Sequence, residues 1–199
     1  ATGGGRPGGR PRAEMDIVWG GGAVGPGQFK RRCRVRVTAD DGAMPVARAG
    51  RARVPAGVFQ MGEGLRDGRP GERPVHNVFV SGFMMDVNEI NREQWISVYG
   101  WALRNGYVLT QGGSSRAIGH PIHTVSWHDA VKWCNARSER DGLTPCYYID
   151  STKAPVYRTG VHELDNACVN WAAAGSRLPP EAEWGKAARG GLRGHALPW

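Results

Sequence analysis

The stretch HTVSWHDAVKWCNARSERDGL, residues 123–143, decides how the chain folds. Ser126 stands where a helix N-cap belongs, and Asp129 sits three residues on, at the capping-box position. Ala130, Val131, Cys134 and Ala136 run along the body that follows. Trp127, Val131 and Cys134 share one face, so a helix is predicted whose buried side leans on a sheet.

Working towards the N-terminus, residues 107–122 show no sustained period and read as irregular. Before them, Asn91 with Gln94 forms a second capping box, and Trp95, Val98, Tyr99 and Ala102 recur at helical spacing. A helix over about 92–104 is predicted, ended by Asn105-Gly106. PVHNVFVSGFMMDVNEI, residues 74–90, alternates with Val78 and Val80 facing one way, which predicts two or three antiparallel strands. ARVPAGVFQMG, residues 52–62, reads as a short strand entering a glycine turn, and Glu63 to Pro74 as an exposed loop. Residues 1–28 read as a flexible lead, followed by an edge strand or hairpin in which Cys33, Val35 and Val37 alternate with arginines.

Towards the C-terminus, TPCYYIDSTKAPVYRTG (144–160) reads as an extended excursion or hairpin that DNACVNWAAAGSRLP (165–179) continues. Pro179 and Pro180 then open a short helix. Glu181 and Glu183 lie at its positive end, and Lys186 and Arg189 near its negative end.

Thirty glycines and 13 prolines in 199 residues point to many turns and few long helices. Eleven of the 26 basic residues fall in the first 53 positions, against four acidic ones, so most of the +8 net charge lies outside the recognisable fold. That lead lacks aromatic interleaving, zinc-finger spacing and a basic helix, so no nucleic-acid partner is expected. No apolar run approaches a membrane-spanning length, and no membrane association is expected. Cys33, Cys134, Cys146 and Cys168 form no C-x-x-C pair or compact zinc set; a Cys146–Cys168 bridge is one of the pairings left open.

Four separated motifs now coincide with a known pattern: VPAGVFQMG (54–62), ERPVHNVFVSGFMMDVNEINREQW (72–95), HPIHTVSWHDAVKWCNARS (120–138), and GSRLPPEAEWGKAARGG (175–191) with LPW (197–199). In this order they resemble the formylglycine-generating enzyme and sulfatase-modifying factor family, over about three quarters of the chain. The insertion between Cys134 and Gly175 resembles a large bacterial subgroup.

The resemblance implies an α+β fold, irregular and related to C-type lectins, with short helices on small antiparallel sheets. It divides the chain into a basic Gly/Arg-rich lead with a β remnant at 1–50 and a domain at 51–199 that is expected to be incomplete at its C-terminal end. It implies an oxidoreductase that converts a cysteine of a sulfatase-like polypeptide to formylglycine. Copper is the implied catalytic metal, held by a cysteine pair that follows the PWG-type motif, and calcium the implied structural ion. The chain reaches only Trp199 of that motif, so the catalytic cysteine region is expected to be absent and the 199 residues alone inactive. The alternative is a non-catalytic, lectin-like binding or interaction domain. Family habit leans towards export to a secreted or periplasmic location. The oligomeric state is left open.

No catalytic, cofactor-binding or metal-binding residue is assigned. In the family the position of Cys134 pairs in some members with a later cysteine, while Ala188 stands where a second structural cysteine often precedes RGG. The six histidines do not supply the iron site of the ergothioneine-synthesis relatives. His120 and His123 read as turn residues. Asp86, Asn88, Glu89 and Asn91 invite a calcium reading but fit a polar turn with an N-cap better. Gly62, Gly64, Gly68 and Gly71 lack the lysine and helix of a phosphate cradle. Glu181 and Glu183, two apart on a helix, do not face each other for acid–base work. Trp127, Trp133 and Trp184 are expected in the core. Arg177 and Glu183 are candidates for a buried ion pair.

Overall fold

A computed structural model describes residues 15–19, 33–37, 50–62 and 74–192. The chain divides into two compact units, residues 1–88 with 181–199, and residues 89–180. The architecture is α+β, with short helices and two-stranded antiparallel sheets among the described residues.

In the first unit, β1 (Met15–Trp19) pairs antiparallel with β2 (Cys33–Val37), Met15 opposite Val37 and Trp19 opposite Cys33. The strand expected around Cys33 is therefore half of a hairpin. Its partner lies inside the stretch read as a flexible lead, where the β-prone residues Ile17, Val18 and Trp19 are hidden among glycines.

The next four strands make one interrupted ribbon. β3 (Arg51–Val54) pairs with β6 (Phe83–Asp86), and β4 (Gly57–Met61) pairs with β5 (His76–Val80). Val54 faces Phe83 and Gly57 faces Val80, so the register runs unbroken across the gap at Pro55-Ala56 and Ser81-Gly82. Proline has no N–H to give the ladder, which breaks it there. Gly82 accommodates the crossing: a Cβ on it would lie 3.3 Å from the Ala56 nitrogen and 3.5 Å from the Val54 carbonyl oxygen. Val80 is buried while Phe79 is exposed, the alternation the sequence predicts.

Helix α3 of this numbering is Glu181–Arg189, with Glu181 and Glu183 in its first turn and Lys186 and Arg189 in its last, as predicted. It packs against the ribbon at Gly185, where a Cβ would make an ordinary van der Waals contact with the Phe59 ring at 3.5 Å.

In the second unit, α1 (Arg92–Arg104) has the predicted boundaries and cap. The Asn91 Oδ1 accepts from the Gln94 N–H at 2.9 Å, and the Gln94 Oε1 accepts from the Asn91 N–H at 3.0 Å. Two more first-turn donors are met by a loop: Arg92 N–H by the His120 carbonyl and Glu93 N–H by that of Ile118. Helix α2 is Trp127–Arg140, capped by the Ser126 hydroxyl, which accepts from the Asp129 N–H. The two helices meet through stacked indoles, Trp95 and Trp133, with centroids 5.4 Å apart and planes 1° from parallel. The Trp133 Nε1–H donates to the Trp95 carbonyl at 3.1 Å, and Val98, Ala102, Val131 and Ala136 fill the space around the pair.

Helix α2 does not lean on a sheet within its unit. Residues 141–180 fold as irregular loops joined by isolated bridges, Tyr147 with Val169 and Tyr148 with Val156, and a short 3₁₀ turn at Asn166–Cys168. The excursion predicted for 144–160 is thus a loop system folded against α2, and its backbone groups look to that helix for partners.

Thr124, between the loop and α2, has φ +58°, a left-handed conformation that a β-branched residue adopts at a cost. Thr124→Asn is expected to raise stability by about 1 kcal/mol, because asparagine tolerates this region. Urea unfolding followed by circular dichroism measures it. No helix among the described residues is long and apolar enough to cross a membrane.

Candidate functional site

The chemistry of the second unit concentrates on a polar stripe that winds halfway round α2. Asp129, Lys132, Asn135 and Ser138 recur every three residues, and all four are buried. Burial of so many polar groups is tolerable only when each is bonded, and here each is.

The Asp129 carboxylate accepts from the Thr110 N–H at 3.1 Å, the Thr110 hydroxyl at 2.8 Å and the Gln111 N–H at 3.0 Å. Its Oδ1 also lies 3.2 Å from the Lys132 ammonium. That ammonium donates to the Val108 carbonyl at 2.6 Å and the Gly160 carbonyl at 3.3 Å. One step along, the Asn135 amide makes four bonds. Its Nδ2 donates to the carbonyls of Tyr147 (2.7 Å) and Tyr157 (3.2 Å), and its Oδ1 accepts from the N–H of Cys146 (3.1 Å) and Tyr147 (3.0 Å). The Ser138 hydroxyl donates to the Cys134 carbonyl and accepts from the Ser176 N–H, both at 2.8 Å. Four loop segments, at 108–111, 146–147, 157–160 and 176, are thereby fastened to one helix.

Sequence reasoning missed this stripe because it weighted the apolar positions and left the polar ones to solvent. The signal was present as D-x-x-K-x-x-N-x-x-S along α2, followed by a long irregular segment whose backbone needed partners.

Burial by itself raises the Asp129 pKa, but the bonds from Thr110 and the bond and charge of Lys132 outweigh it, so the folded value falls below the ordinary aspartate range. A carboxyl with a depressed folded pKa contributes stability above its unfolded pKa, and loses it as pH falls through the folded value. Stability of the chain is expected to drop as pH falls through and below the ordinary aspartate range, and Asp129→Asn to flatten that limb. Urea midpoints across the range check this.

Beside Lys132 stands a cluster of rings. Tyr157 is fully buried; its hydroxyl lies 3.0 Å from the Gly160 carbonyl and 3.1 Å from the His128 Nδ1. His128 and His162 stand edge-on to its ring, and the Lys132 ammonium lies 5.7 Å from the ring centroid. Burial raises the Tyr157 pKa, so the hydroxyl stays neutral and acts as a fastener rather than a base. His120 and His123 remain in the preceding loop, as turn residues: the His120 carbonyl caps Arg92 and the His123 Nδ1 meets the Thr124 hydroxyl at 2.8 Å.

Cys134, Cys146 and Cys168 are buried, and the structure forms no bridge between Cys146 and Cys168, the pairing left open by the sequence. Burial pushes the Cys146 thiol up more than the Arg177 charge and the Gly175 N–H pull it down, and burial likewise raises Cys168. Neither is poised as a thiolate nucleophile or soft metal ligand.

Other candidates have structural partners. Asp86 pairs with Arg51 at 3.3 Å and Asn91 caps α1, the polar turn and N-cap expected there. Arg177 lies over the Trp171 ring at 5.0 Å. Trp133 is in the core as expected, but Trp127 is 49% exposed and Trp184 46%, since an indole is large enough to pack one edge and leave the other in water. Of the glycines at 62, 64, 68 and 71, the last three lie outside the described residues. Among the described residues, no three His, Cys, Asp or Glu side chains gather to hold a metal ion.

Residues 41–199 match the Sulfatase-modifying factor enzyme 1-like domain. The chain is 31% identical over 168 residues to a formylglycine-generating enzyme of Streptomyces coelicolor, covering 79% of this chain and 52% of that protein. It is 34% identical over 121 residues to a chaperone protein, LppX, of Paenibacillus barcinonensis, covering 59% and 39%. It is 28% identical over 160 residues to an inactive C-alpha-formylglycine-generating enzyme 2 of Bos taurus, covering 73% and 50%. The chain therefore spans about half the length, or less, of these relatives. Among solved structures, CarF superimposes with a TM-score of 0.51 at 28% identity, covering 72% of this chain and 57% of that one. Treponema denticola variable protein 1 does so with a TM-score of 0.51 at 26% identity, covering 72% and 53%.

Proposed function

The chain belongs to the sulfatase-modifying factor family, and from that premise we propose that it is the scaffolding part of an oxidoreductase that converts a cysteine of a sulfatase-like polypeptide to formylglycine. The observation that carries this reading is the likeness to generating enzymes across most of the chain, α2 and its loops included.

Copper, the metal this reading implies, does not fit the described residues. Cys146 and Cys168 are buried and held in the thiol form, and no three-ligand group is present among the described residues. Asp86, one of the residues weighed for calcium, pairs with Arg51. What the described residues supply is placement: the buried polar stripe of α2 fixes four loops that no sheet supports.

A second reading is a non-catalytic, lectin-like binding member of the family. Likeness to relatives named as inactive favours it.

The test is to incubate the copper-loaded protein from its source with a cysteine peptide taken from a sulfatase, in oxygenated buffer, and to capture aldehyde with a hydrazide. Aldehyde is expected, and single Cys134→Ala, Cys146→Ala and Cys168→Ala variants should each keep kcat within about twofold. Peptide binding without aldehyde would establish the second reading instead.

A further inference from the structure

At the edge of the break in the first unit's ribbon, the Pro55 carbonyl converges with those of Gly57 and Val80, the last pair of the β4–β5 ladder. The Lys186 ammonium, reaching over from α3, fills the break: it lies 2.6 Å from the Pro55 carbonyl oxygen, 2.9 Å from that of Gly57 and 3.5 Å from that of Val80. Three N–H donors meet three acceptors, and no carboxylate among the described residues pairs with the charge. Burial pulls the Lys186 pKa down, so the carbonyl dipoles are what hold the proton in place.

The backbone around this point is shaped for the arrangement. Gly57 has φ +151°, and a Cβ on it would lie 3.7 Å from the ammonium. Pro55 removes the N–H that would otherwise occupy a neighbouring ladder position. Convergent main-chain carbonyls with no anion are the chemistry that binds a weakly hydrated monovalent cation in place of its water.

We propose that the Pro55, Gly57 and Val80 carbonyls form a monovalent-cation site whose resident ion is the tethered ammonium of Lys186, and that the site takes potassium or a small alkylammonium ion once that side chain is shortened. The latch joining α3 to the ribbon is then a cation-mediated one, and hydrogen bonding from a neutral amine would not replace it. This inference does not depend on the enzymatic reading.

The experiment compares the 199-residue chain with its Lys186→Ala variant in potassium, methylammonium and tetramethylammonium chlorides at equal ionic strength. Tetramethylammonium is too large for the cage and has no N–H. The variant's Tm is expected to rise by about 3 °C or more in potassium or methylammonium over tetramethylammonium, with no such difference for the unaltered chain. Equal Tm values for the variant in all three salts would overturn the proposal. If the variant is unfolded in tetramethylammonium, refolding yield by circular dichroism is the readout: recovery in potassium or methylammonium supports the site, and failure to recover in either refutes it.

Discussion

Replacing Asp129 with alanine is expected to cost the chain about 3–5 kcal/mol, because it strands a buried charge. Lys132 is 1% exposed and would keep only the carbonyls of Val108 and Gly160. The N–H groups of Thr110 and Gln111 and the Thr110 hydroxyl would lose their acceptor at the same time. A buried pair replaced on both sides is far less costly than one broken on one side. Asp129→Ala with Lys132→Met is therefore expected to be more stable than Asp129→Ala alone. Urea unfolding followed by tryptophan fluorescence measures both, and a double variant weaker than the single one would show that the pair is not the unit of stability here.

Gly175→Ala is expected to destabilise by about 3 kcal/mol or more, for a steric reason. A Cβ at this position would stand 2.2 Å from the Thr144 carbonyl oxygen and 2.6 Å from the Ser138 Oγ. The first is backbone and cannot swing aside, and the second is the hydroxyl that accepts from the Ser176 N–H. Relief therefore requires the 144 and 176 segments to part from α2. Gly106→Ala is the control: its φ is +80° but a Cβ there meets nothing within 4 Å, so only backbone strain of about 1 kcal/mol is expected. Comparable losses at the two positions would contradict the packing described around Ser138.

Elements whose cause is local were legible in the sequence. Asn91 and Gln94 announce α1 because a capping box needs only residues three apart, and Pro180 with the flanking charges does the same for α3. Val78, Phe79 and Val80 show their strand by alternation. The continuity of the ribbon was not legible, because Pro55-Ala56 and Ser81-Gly82 interrupt the alternation while the register carries on beneath. Nor was the buried polar stripe that winds round α2. Asp129 owes its burial to Thr110 and Gln111, and Ser138 to Ser176, contacts 18 to 38 residues apart. Local propensity marks such side chains as solvent-facing, and only distant loop backbone in need of acceptors reverses the assignment. The cysteines divide in the same way: spacing excluded a compact thiolate metal site, whereas the thiol state of Cys146 follows from burial that spacing does not reveal.

The most direct test of the scaffold is amide hydrogen exchange at five loop residues whose N–H groups donate to α2 side chains. Thr110 and Gln111 donate to Asp129, Cys146 and Tyr147 to Asn135, and Ser176 to Ser138. These amides are predicted to exchange slowly despite lying outside helices and strands. Asn135→Ala is predicted to release Cys146 and Tyr147 first, with Thr110 and Gln111 still slow. Fast exchange at all five in the unaltered chain would contradict the claim that the buried polar side chains of α2 hold these loops in place.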